Sequence, residues 1–192
     1  MVLARGGSLP GWSLTASGRA RGEQLLAAEL DEMGAREAVA DAYGRFLELN
    51  PELLVICTDW QVRPGGSPPV LNDHSDPAYD SAVLERLVTL HARTVTVLEA
   101  LEEALGRFAG YQDRLAGALE SALRGESDWV TRPVVDSYHT VWFELHEDLL
   151  ATLGRRRGED DPGRAGASPR TPSIPAGPTT AGGPRQRPGP AG

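Results

Sequence analysis

Three of the four histidines in the chain are predicted to face the apolar sides of helices. At 100° per residue, His91 falls within the apolar stripe of one predicted helix, and His139 and His146 fall within that of another. An imidazole that faces a core needs a hydrogen-bond partner, a metal or a ligand at that place. The sequence therefore predicts a site where these two helices meet.

One chemistry for this site is a divalent metal bound by imidazole and carboxylate groups, the usual ligands of zinc and related ions. The spacing of His139 and His146 disfavours one shared ion, because seven residues span about 10.5 Å along a helix axis. Ligands on one helix normally lie three or four residues apart. The metal alternative therefore uses His74, His91, Asp136 and His139.

A second chemistry is a polar pocket for an organic effector, with Trp142 as an aromatic wall. Its ligand-binding residues would be His91, Tyr138, His139, Trp142 and His146. The simplest alternative is a set of core histidines that bond to Tyr138, to Thr94 or to the backbone.

Nucleophilic catalysis has little support in the sequence. Cys57 and Asp59 could supply a nucleophile and an orienting acid to an inward histidine. However, Cys57 ends the apolar run Leu-Leu-Val-Ile-Cys, where a thiol is normally a small buried side chain. The phosphate loop, nucleophile elbow and HExxH motifs are missing. We expect no enzyme, and no cofactor apart from the alternative of one divalent metal.

The elements that would position these residues are helices. Capping and periodicity predict helices over residues 15–34, 35–49, 76–106, 108–123 and 132–154. Thr15 and Asp76 are the predicted N-caps of the first and third of these, Pro133 suits the first turn of the last, and Gly154 is its predicted stop. Asn50-Pro51 is expected to break or kink the second one before a short helix to residue 61. A long loop over residues 63–75 carries His74. The fold class is predicted to be an all-α bundle of about five helices with a short wing-strand remnant at an otherwise irregular N-terminus.

Composition separates a body from a tail. Residues 155–192 hold 8 Gly and 8 Pro, and 7 Arg against 3 acids. We expect this segment to be disordered, because it has little apolar surface to bury. Residues 1–154 hold 12 Arg against 24 acids, a balance that disfavours direct binding to nucleic acid. No apolar run is long enough to cross a membrane, and the single cysteine fits a cytoplasmic location.

A short motif gives the first resemblance to a known family. Residues 12–19, WSLTASGR, resemble the junction between the second wing strand and the following helix in bacterial winged-helix regulators of the MarR and PadR type. In those proteins a DNA-reading helix-turn-helix lies some tens of residues upstream, and only eleven residues precede Trp12. The resemblance therefore implies that this chain lacks most of that module, and that DNA is contacted only through a missing upstream domain.

Four further segments are similar to a helical domain that follows the winged helix in regulator-like bacterial proteins. They are residues 46–54, 57–61, 72–76 and 136–147, with the sequences FLELNPELL, CTDWQ, NDHSD and DSYHTVWFELHE. The resemblance covers residues 12–154 and supplies no catalytic residues. It implies residues 1–14 as an N-terminal wing remnant, 15–34 as a linker and dimerisation helix, and 35–154 as a sensing bundle.

The predicted function is therefore the effector-sensing or dimerising portion of a winged-helix transcriptional regulator. Its partners would be a small-molecule effector and a second copy of the chain, which dimerises through the helix over residues 15–34. The alternative is a stand-alone cytosolic bundle that binds a ligand or a metal, or an enzyme of unrecognised type.

Overall fold

Residues 2–5, 11–65 and 68–156 are described by the computed structural model, and within them six α-helices form the predicted all-α bundle. The helices are α1 (Ala16–Glu32), α2 (Arg36–Gln61), α3 (Pro77–Ala104), α4 (Gly110–Leu123), α5 (Asp128–Thr131) and α6 (Tyr138–Leu153). A 3-10 turn, Gly106–Phe108, joins α3 to α4. The predicted disordered tail lies outside the described residues, except for Arg155 and Arg156.

The N-terminal segment is a β-hairpin. Strand β1 (Val2–Arg5) pairs antiparallel with β2 (Gly11–Leu14), and Val2 lies opposite Leu14. The expectation that residues 1–11 are irregular is therefore wrong for residues 2–5, which find hydrogen-bond partners in the predicted wing strand. Thr15 follows β2 and caps α1 as predicted, because its hydroxyl accepts a hydrogen bond from the backbone N–H of Gly18.

Helix α1 ends where Gly34 adopts a φ of +61°, a conformation that glycine adopts without steric cost. Helix α2 then runs without interruption through Pro51. The predicted break at Asn50-Pro51 is wrong, because burial along both halves of α2 outweighs the hydrogen bond that Pro51 cannot make. Buried side chains lie on both sides of this proline, among them Leu49 and Leu53.

The start of α6 also differs from the sequence prediction. Pro133 does not begin the helix, because Arg132 is extended with φ −70° and ψ 128°, the conformation favoured before proline. The chain instead forms the short helix α5 and a turn, and Ser137 caps α6 by accepting from the backbone N–H of Thr140. Gly154 ends α6 in the left-handed conformation, with φ +67°. The predicted C-terminal stop is confirmed.

The long internal loop contains a small antiparallel ladder that the sequence did not indicate. Strand β3 (Val62–Arg63) pairs with β4 (Val70–Leu71), and Asp76 caps α3 through the backbone N–H groups of Ala78 and Tyr79. His74 follows β4, in the short segment between this ladder and α3.

One hydrophobic core joins α2, α3, α4 and α6. Its largest fully buried side chains include Tyr43, Phe46, Phe108 and Tyr138. Helix α1 lies at the edge of this core and packs against α6, with only Gly18 and Leu30 buried. Within residues 2–5, 11–65 and 68–156, the helices are all too short or too polar to cross a lipid bilayer.

Candidate functional site

Most of the predicted ligand-binding side chains belong to one continuous stack of rings, which we call the aromatic column. The Trp142 ring lies 4.4 Å from the Phe46 ring and 6.3 Å from the Tyr138 ring, centre to centre. The column extends from Tyr138 to His91 at one end and from Phe46 to His146 and Tyr43 at the other. Helices α2, α3 and α6 each contribute to it.

Polar atoms at each end of the column are paired with other side chains. The Tyr138 hydroxyl lies 3.2 Å from His91 Nδ1, and the Tyr43 hydroxyl lies 3.3 Å from His146 Nε2. In the middle, the Trp142 indole N–H donates to Asn50 Oδ1 at 3.0 Å. His91 thus has Tyr138 as its hydrogen-bond partner, as expected if the inward histidines are simply core residues that bond to their neighbours.

Burial sets the protonation of two groups at the His91 end. It lowers the pKa of His91, so the neutral imidazole is favoured in the fold. It also raises the pKa of the Tyr138 hydroxyl, which therefore keeps its proton at neutral pH. The pair is suited to hold an uncharged hydrogen bond. It is not suited to supply a strong base.

The two other predicted site residues in this region, His139 and Asp136, do not take part in the hydrogen bonds of the aromatic column. His139 is half-buried and makes no hydrogen bond within the part of the chain that the structure describes; burial lowers its pKa. Asp136 lies in the turn before α6 and accepts from Arg114 Nε at 3.1 Å. Among residues 2–5, 11–65 and 68–156, no group of three or more His, Cys, Asp or Glu side chains is placed to hold a metal. The metal and effector assignments remain predictions.

His74 belongs to a second cluster, at the start of α3, which we call the Asn72 cluster. Asn72 is buried and is its hub: its amide nitrogen donates to the carbonyl of Trp60 at 3.1 Å and to Asp80 Oδ1 at 2.8 Å. Its amide oxygen accepts from the backbone N–H of His74 and from Arg63 Nε. All four hydrogen-bonding positions of this side chain are therefore used within the fold.

The His74 side chain is oriented by Asp80. Its Nδ1 lies 2.9 Å from Asp80 Oδ2, and because a carboxylate only accepts, Nδ1 carries the hydrogen. Its ring packs on Trp60 at 4.6 Å, and its backbone has a φ of +59°. The contact with Asp80 fixes the tautomer of the neutral ring and leaves Nε2 as an acceptor. The His74 side chain is 30% exposed. Three residues thus hold His74: Asp80, Trp60 and Asn72.

Arg63 closes the Asn72 cluster from the β3 side. Its guanidinium lies 4.6 Å above the Tyr79 ring and bonds to Asp76 Oδ2 through Nη1. The third nitrogen, Nη2, is buried and makes no hydrogen bond to the residues that the structure describes. Burial of a charged donor without a partner is uncommon and costs stability.

Sequence reasoning found His74 and missed the residues that orient it. Asn72, Asp80 and Arg63 were available in the sequence, but their convergence depends on the β3–β4 ladder, which two pairs of residues form. The Asn-Asp-His-Ser-Asp segment before a capped helix was the signal that could have indicated it.

Cys57 has no features of a catalytic thiol. It is buried in α2, and burial raises its pKa to about 12, so the reactive thiolate is disfavoured. Asp59 does not orient a histidine either, because its carboxylate pairs with Arg86 at 2.6 Å.

In comparisons with known proteins, no family model, no curated protein and no solved structure matches the chain.

Proposed function

We propose that residues 15–154 are the dimerising and effector-sensing part of a winged-helix transcriptional regulator. The observation that carries the proposal is the β1–β2 hairpin followed by a Thr15-capped helix that the bundle hardly covers. In regulators of this type the wing strands precede a helix that joins the DNA-reading module to the rest of the protein.

The sparse burial of α1 supports a second copy of the chain as its partner. Two of its 17 residues are buried, whereas α2 buries nine of 26. Helices obtain most of their stability from packing of an apolar face, so an exposed helix of this length gains from a partner. Leu25 on α1 and Met33 at its C-cap are both exposed.

A route from the sensing residues to α1 exists in the packing. Helix α1 packs on α6, and α6 carries Tyr138, Trp142 and His146 of the aromatic column. An effector with different affinities for two packings of α6 would shift α1 between two positions. His91 lies at the end of the column, where such a ligand would meet a half-buried imidazole.

The test is the mass of the protein in solution. Sedimentation velocity over a wide concentration range should give a reversible dimer of the 20.5 kDa chain. Leu25→Arg should weaken the dimer by about tenfold or more, because a two-fold interface would receive two buried charges. Leu123→Arg is the matched control: Leu123 is as exposed as Leu25, at 53%, but lies on α4.

A wild-type chain that stays monomeric at every concentration would overturn the dimerising role. Equal weakening by the Leu25 and Leu123 variants would also count against it, since the loss would then not be specific to α1.

A stand-alone ligand-binding bundle is the second candidate, and the His74–Asp80 contact favours it. A histidine whose Nδ1–H is held by a carboxylate is the usual arrangement for presenting Nε2 to a metal or to an acidic hydrogen. Here the Asn72 cluster holds both side chains.

Zn²⁺ titration followed by imidazole NMR tests this candidate. We expect His74 Nε2 to respond first, and Asp80→Asn to weaken binding by about tenfold to a hundredfold, because the orienting carboxylate is lost. His91→Gln is the control, since its ring belongs to the other cluster. Zinc binding that His74→Ala leaves unchanged would remove the candidate.

A further inference from the structure

Four exposed residues of α1 form a stripe along its outer surface: Arg21, Leu25, Ala28 and Glu32. Their spacing is four, three and four residues, so they lie within about 60° of one another around the helix. This is the spacing of the seam by which two helices pack in a coiled coil. We call these four residues the outer seam of α1.

The spacing of the outer seam is the same in both directions, and its two ends carry opposite charges. Arg21 is at one end and Glu32 at the other, with Leu25 and Ala28 between them. Neither Arg21 nor Glu32 makes an ion pair within residues 11–65 and 68–156. As far as the described part of the chain is concerned, both end charges are therefore available to a second copy.

We propose that two copies of the chain pair through the outer seam with their α1 helices antiparallel. In this arrangement Arg21 of each copy lies opposite the partner's Glu32, and Leu25 lies opposite the partner's Ala28. The inference rests on the proposed dimerising role and adds the orientation and the contacts to it.

A parallel pair would place like charges together, Arg21 against the partner's Arg21 and Glu32 against the partner's Glu32. Like charges that face each other disfavour the wrong arrangement of two partners. The dipole of α1 points to the same choice. Helix α1 has no base in its last turn, and within the chain its acidic C-terminal end is met by Arg36, which pairs with Asp31, and by Arg107, which pairs with Glu29. In the antiparallel arrangement the partner's Arg21 adds a further positive charge at this end, where the helix dipole favours it.

Charge reversal tests the orientation, with dimer dissociation measured by sedimentation at low salt. Arg21→Glu alone, or Glu32→Arg alone, should weaken the antiparallel dimer by about tenfold, because two attractive pairs become repulsive at once. The double variant, Arg21→Glu with Glu32→Arg, should recover the wild-type affinity to within about threefold. Added salt should reduce all of these differences.

A control reversal uses Glu23, which is exposed on α1 but lies outside the seam. Glu23→Arg should leave the dimer unchanged. A wild-type dimer that Leu25→Arg dissociates, but that neither single reversal weakens, would overturn the antiparallel arrangement and leave the dimerising role standing. A monomeric wild type would overturn the dimerising role itself.

Discussion

His91 and His139 lose hydration in the fold, and burial lowers the pKa of both side chains. An unfolded histidine titrates near 6.5, so as the pH falls the unfolded chain takes up protons first. The stability that the two neutral imidazoles contribute is therefore complete above pH 6.5 and is lost as the pH falls through their folded pKa values.

The free energy of unfolding should therefore decrease as the pH is lowered below 6.5. In a variant with both His91→Gln and His139→Gln, the free energy of unfolding should decrease less over the same pH range. Urea unfolding at a series of pH values measures both slopes. A matched control is Asp113→Asn, an exposed carboxylate on α4. Identical slopes for the wild type and the double histidine variant would contradict the prediction.

Only some of the contacts in the two side-chain clusters could be predicted from the types of residue in the sequence. The pairing of His91 with Tyr138 could be anticipated, because both fall on apolar stripes of helices that share a core. The hydrogen bonds of Asn72 could not, because its partners include a backbone carbonyl at Trp60, twelve residues away, and sequence patterns do not report such contacts.

Among the elements, the ends of the helices were the most predictable where one side chain bonds to a nearby backbone group. Thr15 and Asp76 are caps of this kind, as predicted. The start of α6 was harder to predict because the sequence holds two candidate start sites. Pro133 suits a first helical turn, but Arg132 before it is extended, and the helix begins after Ser137 instead. At α2 the local signal of Pro51 was overridden by burial of the flanking turns.

Two glycines provide an element-scale prediction with opposite signs. Gly154→Ala should lower the free energy of unfolding by about 1 kcal/mol, because alanine is strained at the left-handed C-cap of α6. Gly117→Ala, inside α4, should raise it by about 0.5–1 kcal/mol, because alanine favours a helix.

The added methyl group meets nothing within 4 Å at either position, so the two variants differ mainly in backbone conformation. Thermal or chemical unfolding measures both. If both variants shifted stability in the same direction, backbone conformation would not be the cause.

At the scale of the whole molecule, the all-α class and the single core were predictable, because apolar periodicity marks each long helix. The way the core is divided among the helices was not. Helix α1 contains several leucines and alanines, yet most of its residues are exposed and only Gly18 and Leu30 are buried. Which face of a helix is left for another molecule depends on the packing of all the others.

If the chain forms the proposed dimer, heating should reveal it. Binding to the folded state alone stabilises that state in proportion to the logarithm of the binding partner's concentration. The melting temperature of the wild type should therefore rise with protein concentration, and that of Leu25→Arg should rise less over the same range. A concentration-independent wild type would contradict the dimer by a route separate from sedimentation.

The single cysteine has a practical consequence for such experiments. Because Cys57 is buried and its thiol keeps its proton, alkylating reagents and spin labels should leave it unmodified in the native protein. A cysteine introduced by Gln24→Cys near the middle of α1 would then be the reactive one. Pulsed electron resonance between two labelled copies would read their separation in the otherwise natural sequence.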